Sequence, residues 1–212
     1  MRRNFLYKIS LVFLIFIGSL LTLPEDISSQ TQLKQGIFLF SSPMLRDPEF
    51  LHTVVFLISY EKKRGMGIII NRPTEIPLTE VIPELGGVRE LTSPLFVGGP
   101  VNRNMLLVLL QSDKPPSTAQ KVFEDVYFAE DKETITEVLE NSNLHKKIRV
   151  YAGYSGWGSR QLDWEVERGD WIVVDADKEK LFNNDPSTVW PSIFETQKLI
   201  YVRNVLPSSY LP

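Results

Sequence analysis

The hydrophobic residues of this chain occur mainly in short runs that favour β-strands. Residues 36–40, 53–60 and 66–70 read GIFLF, TVVFLISY and MGIII, and these runs are rich in β-branched and aromatic side chains. The polar residues 61–65 separate the second run from the third and predict a hairpin with a five-residue loop. Further apolar runs predict four more buried strands, at residues 94–98, 105–110, 148–151 and 171–174.

Two segments have the spacing of amphipathic helices. Residues 131–139 place Ile135, Val138 and Leu139 on one helical face, and Asp131 is of a type favoured at the N-cap. Residues 161–168 predict two helical turns that end at Gly169, a residue suited to the position after a helix. Both helices are therefore expected to pack one apolar face against the strands.

Three segments have a less regular pattern. Residues 78–85 predict a short helix that Pro83 interrupts. A C-terminal helix begins either at Pro186, with Asp185 as its N-cap, or at Pro191. Residues 199–202 predict a last strand.

Strands outnumber helices, and they do not alternate with helices in a strict βαβ order. Closely spaced strands favour antiparallel or mixed pairing, because parallel neighbours need long crossovers. The pattern predicts a single α+β domain over residues 31–212, with a curved mixed sheet and three or four flanking helices.

The first thirty residues differ from the rest of the chain. Arg2, Arg3 and Lys8 precede residues 9–23, a run of fifteen residues without a charge, which is the layout of a secretory signal peptide. A helix of this length rises about 22 Å, short of the roughly 30 Å of a bilayer core. Residues 1–30 therefore predict a signal peptide, with a membrane anchor, an internal core helix or a misassigned start as alternatives.

The composition excludes several classes of site. The chain contains no cysteine and two histidines, which excludes disulfides, thiol nucleophiles and a histidine-rich metal centre. We predict no metal site and no cofactor, although carboxylates alone remain able to hold Mg²⁺ or Ca²⁺. The formal net charge is −3, and it becomes −4 without residues 1–29. An acidic chain lacks the basic surface that direct nucleic-acid binding requires.

The segment GYSGWGSRQLDWEVERGDW, residues 153–171, has the most distinctive composition. Its glycines predict a loop that leads into a helix, where free N–H groups beside Arg160 would suit an anion. The alternative is a strand-to-helix turn that needs glycine for its geometry. Trp157 in this loop either fills the interior or lines a cleft.

Individual polar residues near these turns suggest chemistry, each with a simpler alternative. Ser155 does not fit the nucleophile-elbow pattern, because the second residue after it is a tryptophan. Glu165 and its acidic neighbours on the helix form either an acid–base pair or a solvated acidic face. Asn71 and Arg72 follow one strand and Gly98–Gly99 follow another, so they either converge on a ligand or serve as turn and ion-pair residues.

Taken together, three ordered motifs resemble the AlgH/YqgE family of bacterial proteins. They are FSSPMLRDPEFLHTVVFLISYEKKRGMGIIINRP, FVGGPV and YAGYSGWGSRQLDWEVERGDW. The resemblance implies a mixed fold with a barrel-like sheet and no assigned biochemical activity, in a family often labelled as transcriptional regulators. It also implies a cytoplasmic location, which disagrees with the export or membrane anchoring that residues 9–23 predict.

We interpret the chain as a non-catalytic binding or regulatory protein that engages a small ligand or a protein partner through one cleft. The alternatives are an enzyme for a small anionic substrate, with Arg72 or Arg160 as its anchor and Glu165 as its acid–base group, and a transcriptional regulator. No catalytic residue is assigned. The candidate cleft residues are Asn71, Arg72, Gly98, Gly99, Trp157, Arg160, Gln161 and Glu165.

Overall fold

The computed structural model describes residues 32–82, 94–141 and 146–205. The predicted signal or anchor segment at residues 1–30 lies outside these residues, as do Pro83 and His145. In the described part of the chain, no helix combines the length and the apolar character that crossing a membrane requires.

The described residues form ten strands and five helices. The strands are β1 Ile37–Ser41, β2 Val54–Glu61, β3 Arg64–Ile69, β4 Pro73–Pro77, β5 Pro94–Val97, β6 Val101–Gln111, β7 Gln120–Phe123, β8 Val126–Ala129, β9 Lys147–Trp157 and β10 Trp171–Asp175. The helices are α1 Leu78–Val81, α2 Lys132–Glu140, α3 Gln161–Glu167, α4 Lys178–Leu181 and α5 Val189–Val205, with a 3₁₀ turn at Pro186–Thr188.

All ten strands belong to one mixed sheet. Its main path runs β10-β1-β2-β3-β9-β6-β8-β7, and all the pairs along this path are antiparallel. Strand β5 pairs in parallel with β9 and antiparallel with β4. The sheet curls until the residues just before β1 contact the far edge strand, β7. There the Gln35 amide donates to the carbonyls of Lys121 and Val122. The predicted α+β fold with a curved, barrel-like sheet is confirmed.

Both faces of the sheet are covered by apolar side chains. One cluster lies around Phe38, Phe56 and Tyr151, and α5 adds Trp190, which stacks on Phe40 with ring centroids 5.0 Å apart. A second cluster lies beneath α2, whose predicted N-cap is confirmed, since the Asp131 carboxylate accepts from the Thr134 N–H. A third cluster lies beneath α3, where Leu162 is fully buried. This third cluster supports the candidate cleft.

Several predicted boundaries are wrong, and hydrogen bonding gives the reason. The β2–β3 loop has two residues rather than five, because Lys62 and Lys63 adopt φ of 48° and 65° and let Glu61 pair with Arg64. Strand β6 begins at Val101, four residues before the predicted start at residue 105. The glycine-rich residues 153–157 continue β9 instead of forming a loop.

The sequence pattern also misassigned one element and missed four. Residues 199–202 lie within α5, not in a strand. Pro191 falls in the first turn of that helix, where a missing N–H costs nothing. Strands β4, β7 and β8 and helix α4 were not predicted, because each has only four or five residues and shows too little periodicity.

Candidate functional site

A cleft of about 160 Å³ opens beside α3, and we call it the Glu165 cleft. One wall comes from the loop after β1, a second from the start of β6, and the floor from the segment that joins β9 to β10 through α3. Its lining residues are Leu45, Asp47, Phe50, Pro100, Val101, Gly156, Trp157, Gln161, Glu165, Arg168, Asp170 and Trp171.

Three neutral side chains hold the carboxylate of Glu165. The indole N–H groups of Trp157 and Trp171 both donate to Oε2, each over 2.8 Å. The amide of Gln161, one helical turn earlier, donates to Oε1 over 2.9 Å. The carboxylate is therefore fixed in position by dipoles, without a basic side chain bonded to it among the described residues.

Aromatic rings form the base of the cleft. Phe50 stacks on Trp157 with centroids 6.4 Å apart and meets Trp171 edge-on at 5.4 Å. The two tryptophans are themselves perpendicular, at 6.0 Å. Trp157 is 6% exposed, so it fills the interior as one alternative predicted, and its N–H also positions the cleft's carboxylate.

The charge of the cleft is predominantly negative. Its lining carries the carboxylates of Asp47, Glu165 and Asp170 and one guanidinium, that of Arg168. The guanidinium forms an ion pair with Asp170, and this hydrogen-bonded contact raises the pKa of Arg168. An excess of carboxylates attracts cations and repels anions.

Asn71 and Arg72 do not line the cleft, but they hold the loop that does. The Asn71 side chain accepts from the Val54 N–H and donates to the His52 carbonyl, each over 2.9 Å. The Arg72 guanidinium donates to the carbonyls of Glu49, at 2.5 Å, and Leu51, at 3.4 Å. Burial lowers the pKa of Arg72. Both side chains thus brace the turn that carries Asp47 and Phe50.

Gly98 and Gly99 likewise do not line the cleft, but they shape its wall. A Cβ on Gly98 would lie 2.2 Å from the Gly153 carbonyl oxygen, and one on Gly99 would lie 2.3 Å from the Tyr154 carbonyl oxygen. Side-chain-free residues are needed because β5 ends against the backbone of β9. This close approach places the neighbouring Pro100 and Val101 in the cleft wall.

The predicted anion site at the start of α3 is not open. Arg160 takes φ of 63°, and its backbone N–H donates to the Lys63 carbonyl over 2.7 Å. The Gly158 N–H donates to the Gln161 side chain, and the Gln161 N–H donates to the Gly158 carbonyl. The Arg160 side chain is exposed and does not line the cleft. The N–H groups of Gly158, Arg160 and Gln161, which were expected to meet an anion, already have partners.

Two other polar residues that the sequence suggested for chemistry are hydrogen-bonded to protein groups. Ser155 is fully buried and donates to the Gly98 carbonyl over 3.3 Å, which leaves it without access to a substrate. Asp163 is not part of a solvated acidic face, because it accepts from Tyr60 at 2.6 Å and from Lys63 at 2.8 Å. These two bonds fasten α3 to the β2–β3 hairpin. In the part of the chain that the structure describes, no group of acidic or histidine side chains is arranged to hold a metal ion.

The bond between Tyr60 and Asp163 leads to a pH-dependent prediction. Burial and the hydrogen bond to Asp163 raise the pKa of Tyr60 from 10.0 to about 12. The phenol therefore contributes stability that is fully present below pH 10 and is lost as the pH rises towards 12. We expect Tyr60→Phe to lower the free energy of unfolding by about 1 kcal/mol at neutral pH and to flatten the alkaline decline. Urea unfolding at neutral pH and above pH 10 measures both effects, and an unchanged alkaline decline in the variant would contradict the assignment.

Nine of the twelve lining residues were absent from the predicted set, and four of these nine are Asp47, Phe50, Arg168 and Asp170. Two of them, Asp47 and Phe50, lie within the first motif of the family resemblance. This motif could therefore have indicated them as site residues. The other two, Arg168 and Asp170, lie within the third motif, in a polar stretch after α3 that looks like ordinary solvated surface. Of the predicted set, the structure brings Trp157, Gln161 and Glu165 together in the cleft.

A second depression, of about 520 Å³, lies between α1, the start of β6, and α2. Its floor includes Ile82, Met105, Leu106 and Ile135. None of the predicted site residues lines it, and it borders residue 83, where the described part of the chain is interrupted.

Comparison with known proteins identifies the family. The profile of the AlgH-like family matches residues 38–202, which is most of the chain. The match reaches into every strand and includes the whole Glu165 cleft. This chain belongs to the AlgH-like family. The resemblance inferred from the three sequence motifs is thereby confirmed.

Bacterial relatives in this family share about a third of their residues with the chain. A UPF0301 protein of Marinomonas sp. is 35% identical over 150 residues, covering 69% of this chain and 79% of its own length. A UPF0301 protein of Rhodococcus opacus is 32% identical over 187 residues, covering 83% of this chain and 90% of its own length.

Two solved structures show the same fold. A crystal structure of a Corynebacterium diphtheriae protein superposes with a TM-score of 0.69 at 20% identity, covering 79% of this chain and 89% of that one. The solution structure of AlgH from Pseudomonas aeruginosa gives a TM-score of 0.63 at 23% identity, covering 84% of this chain and 98% of that one. At these identities the likeness concerns the AlgH-like fold alone.

Proposed function

We propose that this AlgH-like protein is a non-catalytic binding protein and that the Glu165 cleft recognises a cationic group. The observation that carries the proposal is the Glu165 carboxylate, which three neutral donors hold at the cleft without a bonded basic side chain in the described residues. A fixed carboxylate among aromatic rings provides both charge attraction and ring faces to a guanidinium or ammonium group.

The same geometry favours binding over proton transfer. A general acid or base must exchange a proton during the reaction, whereas both oxygens of Glu165 already accept hydrogen bonds from protein groups. The nucleophile candidate Ser155 is buried and has no access to a substrate. Of the two anchor candidates, Arg72 donates to two backbone carbonyls and Arg160 does not line the cleft. An anionic substrate would therefore meet a cleft that is negatively charged and lacks both proposed anchors.

The proposal predicts binding of a simple cationic probe, N-acetyl-arginine-methylamide. We expect saturable quenching or enhancement of tryptophan fluorescence, since Trp157 and Trp171 lie at the cleft. Glu165→Gln should weaken binding about ten-fold or more, because it removes the charge that meets the guanidinium. N-acetyl-leucine-methylamide, which lacks the cation, should give no saturable signal.

Two further variants separate binding from folding. Glu167→Gln makes the same charge change two residues along α3, on an exposed side chain outside the cleft, and should bind the probe normally. Asp47→Asn removes a cleft carboxylate that has no bond to the tryptophans, and should weaken binding about three-fold without affecting stability. Absence of saturable binding to the folded wild-type protein, or equal binding by all four proteins, would refute the proposal.

A further inference from the structure

We infer that the cation recognised by the Glu165 cleft is an arginine or lysine side chain of a protein partner, and that residues flanking this side chain dock on Trp164 and Val101. This inference rests on the proposed function, because it names the partner of the same cleft.

The size of the cleft favours a single side chain over a complete small molecule. Small-molecule sites in proteins usually enclose roughly 300–1,000 Å³. The Glu165 cleft encloses about 160 Å³, which is about half of the lower bound. An arginine or lysine side chain enters such a cleft with its charged end towards the carboxylate and its methylene groups against Phe50. The backbone that carries the side chain then remains outside, along the rim.

Exposed apolar side chains are available on that rim. Val101 lines the cleft and is 37% exposed. Trp164 is 56% exposed, and it lies three residues after Gln161 and four residues before Arg168, which makes it a neighbour of both on the surface of α3. Helix α3 packs against the sheet through Leu162, which is fully buried. Trp164 belongs to none of the core clusters, so its side chain is not used in the packing of α3. Tryptophan is among the residue types that are enriched at energetic hot spots of protein interfaces.

The recognition surface is also held in place before any partner arrives. Asp163 ties α3 to Tyr60 and Lys63, and Gln161 is bonded to Glu165 within the helix. The opposite wall is braced by Arg72 through the carbonyls of Glu49 and Leu51. A surface that is already ordered loses little conformational entropy on binding, which favours recognition of an exposed segment of another protein.

The test compares one cation with and without flanking residues. The probes are N-acetyl-arginine-methylamide and the capped pentapeptide acetyl-Gly-Leu-Arg-Leu-Gly-amide, titrated into the full chain by calorimetry. We expect the peptide to bind about ten-fold more tightly than the amino-acid derivative, because its leucines contact Trp164 and Val101. Trp164→Ala should remove this gain and leave binding of the amino-acid derivative unchanged.

A matched control replaces another exposed apolar residue away from the cleft. Ile76→Ala, on β4, removes a side chain that is 43% exposed and should retain the full gain for the peptide. If the amino-acid derivative binds as tightly as the peptide, or if Trp164→Ala weakens both probes equally, the partner inference fails and a free small cation is the ligand. If neither probe binds to the folded protein, the proposed function itself fails.

Discussion

Replacing Gly98 with alanine is expected to lower the free energy of unfolding by roughly 3 kcal/mol or more. The added Cβ would lie 2.2 Å from the carbonyl oxygen of Gly153, a backbone atom that no rotamer change moves. The same residue receives a hydrogen bond from the Ile69 N–H and donates one to the Ala152 carbonyl, so it joins β3 and β9. Relief of the clash requires β5 and β9 to separate at the point where three strands meet. Urea unfolding followed by circular dichroism measures the loss.

The chain provides a control for this effect in Gly158. Its added Cβ would meet only the Gln161 side-chain oxygen, at 3.7 Å, which is an ordinary contact. We expect Gly158→Ala to change the free energy of unfolding by less than about 1 kcal/mol. Equal stabilities for the two variants would contradict the close approach of β5 to β9.

The second large effect is expected at Arg149, whose side chain is 6% exposed. Its guanidinium donates to the carbonyls of Ile70, at 3.2 Å, Leu181, at 2.8 Å, and Asn183, and it lies 4.6 Å above the ring of Phe96. Arg149→Met retains an apolar stem of similar length but leaves three carbonyls without their donor. We expect a loss of roughly 3 kcal/mol or more in the free energy of unfolding, measured by urea titration.

Two companion substitutions test the cause of that loss. Arg149→Lys retains the charge but not the planar fork that reaches several carbonyls, so it should restore less than half of the lost stability. Tyr151→Phe removes a fully buried hydroxyl that has no hydrogen-bond partner in the described part of the chain, two residues further along the same strand. This substitution should be nearly neutral, because the hydroxyl meets only the neighbouring Arg149 guanidinium, which keeps its three carbonyl acceptors. A large loss for Tyr151→Phe would show that the phenol beside Arg149, and not the carbonyl bonds of the guanidinium alone, controls stability there.

The elements that could be predicted are those whose signal is local. β2 carries eight residues rich in β-branched and aromatic side chains, and the N-cap of α2 is visible as an aspartate before an apolar stripe. The wrong predictions concern backbone geometry. The two lysines of the β2–β3 turn adopt left-handed angles that neither residue prefers, so their sequence does not predict a two-residue turn.

Part of the candidate site was predictable because its residues are close together in the sequence. The segment that contains Trp157, Gln161 and Glu165 is continuous, and a strand followed by a helix brings these residues together at short range. Arg72 was assigned to a ligand because an arginine after a strand looks the same whether it binds an anion or backbone carbonyls. Distinguishing the two requires the position of the loop at residues 47–51, which comes from a different part of the chain.

By itself the sequence determined that this is an acidic α+β protein of the AlgH-like family, because apolar periodicity, capping residues and three ordered motifs are properties of short segments. Only the tertiary structure decided that Asp47, Val101 and Glu165 share one cleft. It also decided that four predicted site residues lie outside the lining and hold the walls of that cleft in place: Asn71, Arg72, Gly98 and Gly99. The physical reason is that the curl of the sheet and the close contact between β5 and β9 bring distant segments together. Neither feature produces a periodic pattern of apolar residues from which it could be predicted.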